Sequence, residues 1–341
     1  MQPSITTSLR RAKEIPCMII CSGTSRLVVI DGRSLPEPGP QRNDVLLGLM
    51  LGKPHGLGGE SSQSNKVAVV TSDPRREAFH FHFYQLIHQT GQMLDKMECS
   101  NAAAAAGLFA RLSRIARPAE SDSLIHTTNT ATGQKITLSI PSQTEMWKHP
   151  WGVRFELAAE VSEDVRACAE PLHMLVDGRE LTYHIVPRGN LFVFCQIAPQ
   201  LMTPELSMQI AEVASQKAVE LGRAVRPFLP KIIPYQILDG THVQAASYFE
   251  GELHASMPGS ASMALALFLL LVRPDDLPGQ DLSAPRFEIL FKDGSMDVAV
   301  GLKDGVATYT EFFTPVRLLM HGAAPIPPEH SFMIEVREEE G

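Results

Sequence analysis

Five consecutive alanines, Ala102–Ala106, run into Gly107 and then into Leu108, Phe109, Leu112 and Ile115. Alanine is the strongest helix former, and Ser100 and Asn101 ahead of the run can cap free backbone N–H groups. A helix clothed mainly in methyl groups can lie very close to its neighbours, so this one is expected inside a sheet or barrel. A second helix of the same kind is predicted over Ala261–Val272, introduced by Met257-Pro258-Gly259-Ser260 and apolar nearly all round, as a fully buried helix is.

The segments around both helices read as strands. Ile15–Cys21 and Leu27–Ile30 flank Ser22-Gly23-Thr24-Ser25, a tight small-residue turn. A short helix is predicted over Asn43–Leu51, and the loop from Gly56 through Gly58, Gly59, Glu60, Ser61, Ser62 and Ser64 leads into an apolar strand, Lys66–Val70. In Ala78–Leu86 the residues alternate, Phe79, Phe81 and Phe83 on one face and His80, His82 and Tyr84 on the other, which predicts a half-buried strand. Strands are predicted again at Leu124–Thr128 and Lys135–Ile140 across Thr132-Gly133, and at Tyr183–Val186 and Leu191–Gln196. Leu206–Arg223 has the spacing of a helix on the outside. Hairpin turns are predicted at Asp177-Gly178, Asp293-Gly294 and Asp304-Gly305. The plan of strands, small-residue loop and buried helix therefore repeats once. At 341 residues the chain fits two domains of ordinary size, and the join is expected near residue 180, giving 1–180 and 181–341, with the last segment free to cross back.

Composition excludes several classes of function. With 30 basic against 38 acidic residues the net charge is -8, the opposite of the electropositive footprint of a nucleic-acid binder. The cysteines, Cys17, Cys21, Cys99, Cys168 and Cys195, are odd in number and contain no C-x-x-C pair, so reduced thiols in a cytoplasmic protein are expected rather than a disulfide framework or zinc site. The apolar run after Arg10, Arg11 and Lys13 is short and lacks a cleavage site, and the longest apolar stretch, Met263–Val272, is far below the roughly 20 residues that span a bilayer. No membrane partner is expected. Phosphate-loop, dinucleotide, zinc-protease and nucleophile-elbow motifs are absent. His80 and His82, two apart on a strand, are better read as a polar sheet face than as metal ligands, and no metal site is expected.

Two side chains have chemistry in reach. Cys99 stands at the start of the alanine helix, where unpaired N–H groups and the helix dipole favour a thiolate; the alternative is a small buried residue. Lys66 ends the Gly/Ser loop and opens an apolar strand, where lost hydration would bring its pKa down towards that of a useful base; the alternative is a surface lysine. Gly23, Thr24, Ser25, Ser61, Ser64, Ser100, Asn101, Gly259 and Ser260 lie in hydroxyl-rich turns and helix starts. Collected in one cleft, they would bind a carboxylate and stabilise an enolate-like intermediate. Singly, each is only a turn.

Taken in order, these segments resemble the 2-methylaconitate isomerase (PrpF-like) family of the diaminopimelate epimerase-like fold. Ile15-Pro16 through Ser22-Gly23-Thr24-Ser25-Arg26 resembles the family's I-P-x-x-F-x-R-G-G-T-S-K-G. Gly56-Leu57-Gly58-Gly59 through Ser64-Asn65-Lys66-Val67-Ala68-Val69-Val70 resembles D-G-L-G-G-x-x-S-x-x-S-K-V-A-I-V, and Glu98-Cys99-Ser100-Asn101 resembles N-C-G-N. Thr128-Asn129-Thr130 with Thr132-Gly133, Gly189-Asn190 through Phe194, His254 to Ala264, and Val316 to Gly322 resemble later family motifs. The resemblance implies an α/β (α+β) fold of two pseudo-twofold-related domains, each a β-sheet or barrel wrapped around a central helix, with the active site between them. It implies cofactor-independent proton transfer on a small unsaturated di- or tricarboxylate, with no cofactor and a carboxylate substrate as partner. Lys66 would handle the allylic proton, Cys99 would be its partner acid, and Asn190 would join the substrate-binding set; a homodimer is compatible with this. The departures point to a changed substrate. Cys21-Ser22-Gly23 lacks the family arginine and Glu98 adds an acid beside the thiol, both of which weaken binding of a highly anionic acid. A tailoring enzyme of secondary metabolism, or a non-catalytic carboxylate binder, are the alternatives.

Overall fold

The computed structural model describes residues 14–51, 56–59, 61, 63–73, 78–87, 90–116, 123–141, 148–176, 178–222, 230–277 and 285–325. Arg10, Arg11, Lys13, Glu60, Ser62, Asp177 and Arg223, all used in the sequence reading, lie outside the described residues. The chain forms two compact units, Met1–Trp151 with Thr314–Gly341 and Gly152–Phe313.

In the first unit, β1 (Glu14–Ser22) and β2 (Ser25–Asp31) make a hairpin whose last pair is Ser22 with Ser25. Helix α1 (Pro40–Leu51) then carries the chain to β3 (Lys66–Ser72), which pairs parallel to β2 with Lys66 opposite Leu27. Two parallel strands need such a crossover. β4 (Ala78–Ile87) pairs antiparallel to β3, Lys66 standing opposite Gln85, and β5 (Gln92–Leu94) adds to β4. Helix α2 (Ser100–Leu112) is the second crossover, leading to β6 (Leu124–Asn129) parallel to β4, and β7 (Lys135–Ser139) returns antiparallel.

The expected burial of the alanine helix follows from its size. Ser100 through Ala110 are all buried, and α2 packs against β1, β2, β3, β4, β6 and β7. A Cβ on Gly107 would lie 2.4 Å from Leu138 Cδ1, so there is no room there for even one added methyl without displacing its neighbour. On the other side of the sheet Val45, Leu46, Leu49 and Met50 of α1 pack with Val28, Ile30, Val67, Val69 and Tyr84. Each such aliphatic side chain contributes about 1.5–3 kcal/mol of burial. β4 departs from the half-buried expectation beyond Phe83, because Tyr84, Leu86 and Ile87 are also covered.

The second unit repeats this connectivity. β8 (Trp151–Glu156) and the short helix α3 (Ala159–Arg166) precede the antiparallel run β9 (Leu172–Val176), β10 (Arg179–Arg188) and β11 (Asn190–Gln196). Helix α4 (Pro204–Glu220), capped by Thr203, crosses to β12 (Lys231–Asp239), parallel to β11 with Lys231 opposite Phe192. β13 (His242–Ala245), β14 (Tyr248–Phe249) and β15 (Glu252–Leu253) follow; helix α5 (Gly259–Val272) then crosses to β16 (Arg286–Phe291), parallel to β13. α5 is buried from Gly259 through Leu270. β17 (Gly294–Lys303) and β18 (Val306–Thr314) form a hairpin across Asp304 (φ 53) and Gly305 (φ 76), the pair of left-handed residues that a two-residue type I′ turn demands. β18 also pairs with β8.

The last described strand, β19 (Val316–Pro325), belongs to the first unit and pairs antiparallel to β1 from Glu14↔Pro325 to Ser22↔Val316. The join between units therefore falls at Trp151/Gly152 and again at Phe313/Thr314, not near residue 180. The expected join comes from halving the repeated plan, and residue 180 instead lies within β10, which pairs with β9.

Candidate active site

Lys66 is the first residue of β3 and is 9% exposed. Strand alternation and its pairing with Leu27 and Gln85 turn it to the face that α2 covers. Its Nζ donates to Gln85 Oε1 and sits 5.7 Å from the centre of the Phe83 ring. Burial lowers the Lys66 pKa, because an ammonium stripped of water is costly; a negative charge at Cys99 acts the other way. Lys66 thus faces the side of the sheet covered by the helix that Cys99 precedes.

Cys99 is the residue before α2, in extended backbone (φ -140, ψ 102), and is partly exposed. Its carbonyl accepts from the Ala102 and Ala103 amides, while its thiol makes no capping bond. The earlier amides of the helix, at Ser100 and Asn101, have no partner among the described residues, as the first turn of a helix leaves them. Cys21 is partly exposed like Cys99, and the remaining thiols are less available. Cys17, Cys168 and Cys195 are buried, and burial pushes the Cys17 and Cys195 thiols up.

The β1–β2 turn meets this helix start. Gly23 has φ +52, and a Cβ built there would fall 2.8 Å from Asn101 Oδ1 and 2.9 Å from Thr314 Oγ1. Its amide donates to Pro315 O at 3.0 Å, and Asn101 Nδ2 donates to Ser25 Oγ at 3.2 Å. Gly23, Ser25, Ser100 and Asn101 are thus gathered beside Cys99, with Thr24 half-buried at the turn's tip. The buried hydroxyls of Ser22 and Thr314 have no partner among the described residues.

The loop before Lys66 is organised differently from an open anion pocket. Ser64 N and Asn65 N donate to Ser61 O at 3.0 and 3.2 Å, Ser64 Oγ lies 3.2 Å from Ser61 Oγ, and Gly59 N donates to Asn65 Oδ1 at 3.0 Å. The amides of Leu57 and Gly58 go to Leu49 O and Met50 O. Ser61 and Ser64 therefore fold the loop on itself around the buried Asn65. Arg26 projects to the face opposite Lys66 and holds the loop by donating from Nη2 to Leu57 O at 3.2 Å.

Glu98 stands beside Cys99 in sequence, but its carboxylate is turned to the β6–β7 hairpin, where it accepts from Thr132 Oγ1 and, at 3.3 Å, from Asn129 Nδ2. Asn129 Nδ2 also donates to Met97 O at 3.1 Å. These donors hold the Glu98 carboxylate at the hairpin. His80 has an acidic neighbour that spacing did not reveal, Asp73 at 3.6 Å, and His82 Nδ1 lies 3.0 Å from Thr130 Oγ1.

Asn190, Gly259 and Ser260 belong to the second unit. Asn190 opens β11, and Gly259 and Ser260 open α5, where the first donors to a helical carbonyl are Ala261 and Ser262 to Pro258. Sequence reasoning missed Gln85, Asn65 and Thr314. Gln85 and Thr314 act through partners distant in the chain, and Asn65 through the loop that precedes it.

No helix among the described residues is long and apolar enough to cross a membrane. The 4-oxalomesaconate tautomerase of Pseudomonas putida is 34% identical over 102 residues, a stretch that spans 28% of this chain and 28% of that relative. The crystal structure of a methylitaconate-delta-isomerase superposes with a TM-score of 0.70 at 17% identity, over 96% of this chain and 99% of that one. A hydroxyproline epimerase from Agrobacterium vitis gives a TM-score of 0.60 at 12% identity, over 93% and 94%. At such identities the likeness is one of fold, and the fold is the diaminopimelate epimerase-like one expected from the sequence. The sequence profile of the PrpF protein matches residues 12–193, which include Lys66, Cys99 and the Gly23 turn; the chain belongs to the PrpF family.

Proposed function

We propose that this protein is an isomerase that moves a carbon–carbon double bond within a small unsaturated polycarboxylic acid by proton transfer between Lys66 and Cys99. The observation that carries the reading is geometric: a buried lysine, its pKa lowered by burial, stands on the sheet face covered by the helix whose start Cys99 precedes. Neutral Lys66 takes the proton from the sp3 carbon next to the double bond. The C–H electron pair enters the π system and its charge spreads onto the conjugated carboxylate. The Cys99 thiol gives a proton to the far carbon, the double bond moves one position, and no electrons are gained or lost overall. In this reading the amides of Ser100 and Asn101, with the Ser25 hydroxyl, would receive the growing negative charge, where preorganised donors accelerate such reactions most. Both reacting groups then exchange with water and reset.

The substrate class is supported by the names of similar proteins, a 4-oxalomesaconate tautomerase and a methylitaconate-delta-isomerase. The test is proton NMR in heavy water with cis-aconitate, 2-methylaconitate, methylitaconate and 4-oxalomesaconate. Deuterium entering an allylic position, and lost in Lys66→Ala and Cys99→Ser, supports the reading. No exchange with any of these acids overturns this substrate class and moves the search to less charged biosynthetic intermediates.

A further inference from the structure

We infer that Gln85 is the positioning residue that sets the orientation and the protonation of Lys66; this rests on the reading of Lys66 as a proton-transfer group. Gln85 is buried at 3% exposure and stands directly across the β3–β4 pair from Lys66. Its amide has only one orientation that satisfies its neighbours. Nε2 donates to Asn65 O at 3.1 Å and to Leu86 O at 3.3 Å, and both acceptors are backbone carbonyls that cannot donate. A flipped amide would set an oxygen against those oxygens and an NH2 against the lysine. Only Oε1 can therefore face Lys66, and it accepts from Nζ.

An acceptor without charge at this place has a definite consequence. It fixes Nζ over the α2 face while leaving the lysine free to be neutral, which a carboxylate would not. Among the described residues, the groups around Lys66 leave this control to Gln85. From β4 the other neighbour is the Phe83 ring, from β2 it is Leu27, and from the start of α2 the titratable group acting on it is Cys99. Glu98 is turned to Thr132 and Asn129, and Arg26 projects to the other face of the sheet. The same amide ties down the loop, because Asn65 O also accepts from Leu86 N at 2.9 Å. Gln85 thus connects the residue that closes the Gly/Ser loop to the amine that follows it.

The test is carbon–nitrogen NMR of lysine side chains in the whole protein, with the Lys66 signal identified by its loss in Lys66→Ala. In Gln85→Glu the Lys66 titration is expected to move up by about 1–3 pH units, the usual effect of an adjacent opposite charge. In Gln85→Met, which fills the space but removes the acceptor, it is expected to move down. If Gln85→Glu does not fold, Gln85→Met alone decides. A titration identical to wild type in the variants that fold would overturn the inference, since a purely structural glutamine has no reason to shift it in opposite directions. This readout needs no substrate, so it stands or falls separately from the proposed reaction. Where an acid is turned over, the acidic limb of the kcat/KM profile should follow the same shifts, with KM changed less than kcat.

Discussion

Replacing Gly23 by alanine strains the candidate site at its tightest point. A side chain at φ +52 costs about 1–2 kcal/mol by conformation alone. The new methyl would also stand 2.8 Å from Asn101 Oδ1 and 2.9 Å from Thr314 Oγ1, so the Asn101 amide must retreat by about half an ångström to reach ordinary contact. Its bond to Ser25 Oγ, already 3.2 Å, then stretches past useful length, and such a bond contributes about 1 kcal/mol. The total is about 2–3 kcal/mol. Gly133→Ala supplies the control, because its φ of +74 carries the same conformational cost but nothing lies within 4 Å of the added carbon. Urea unfolding followed by the fluorescence of buried Trp151 should show Gly23→Ala about 1 kcal/mol worse than Gly133→Ala, and a midpoint about 1 M below wild type for slopes of about 2–3 kcal/mol/M. In an Asn101→Ala background the Gly23 penalty should shrink, with a coupling of about 1 kcal/mol. Equal losses for the two glycines, or no coupling to Asn101, would refute the close approach of turn and helix start.

Further outcomes follow from other contacts. Thr132→Val removes one donor to the buried Glu98 carboxylate and should cost about 1–3 kcal/mol, whereas Thr132→Ser should cost little; thermal unfolding of the two variants distinguishes them. A maleimide at mild alkaline pH should modify Cys99 and Cys21 ahead of Cys17 and Cys195, whose thiols are buried and pushed up; peptide mass mapping reads the order, and early labelling of Cys195 would contradict its packing. Lys66 has a folded-state pKa below its unfolded value, so between those two values the unfolded chain binds more protons and stability rises with pH. Lys66→Met lacks that slope. It should exceed wild type in stability most at neutral pH, with the difference shrinking towards the ordinary lysine value near 10.5, and a constant difference across that range would rule out the burial described.

Much of the scaffold can be read locally. Ala102–Ala106 can form little but a closely packed helix, and Ala261–Val272 is apolar on every side, so both crossovers are visible in single stretches of sequence. Lys66 is visible because a Gly/Ser loop changes abruptly into valines there. What local pattern does not carry is the identity of partners. Gln85 looks like the polar residue of an apolar strand until its register with Lys66 is known. Glu98 reads as an acid beside a thiol, yet the side chain follows donors supplied by the Asn129–Thr132 hairpin more than thirty residues later. The serines of the loop before Lys66 suggest an open row of hydroxyls and amides, but Asn65 and Ser61 take up the loop's own donors. The return of the final described strand to the first unit is expected from the sequence, but the first boundary, at Trp151/Gly152, carries no local signal.

The position of β19 also sets an order of events during synthesis. β1 through β7 leave the ribosome early, but the strand that covers the outer edge of β1 follows only after the whole second unit has been made. At 5–20 residues per second the wait from Ser139 to Val316 is roughly 10–35 s. Throughout that interval β1 presents an unpaired edge carrying Met18 and Ile20, the kind of edge that invites pairing with another chain. A message cut short after β18 would leave that edge open for good. Nascent chains of this protein should therefore need chaperone cover late rather than early, with release timed by the arrival of the last ten residues of paired strand.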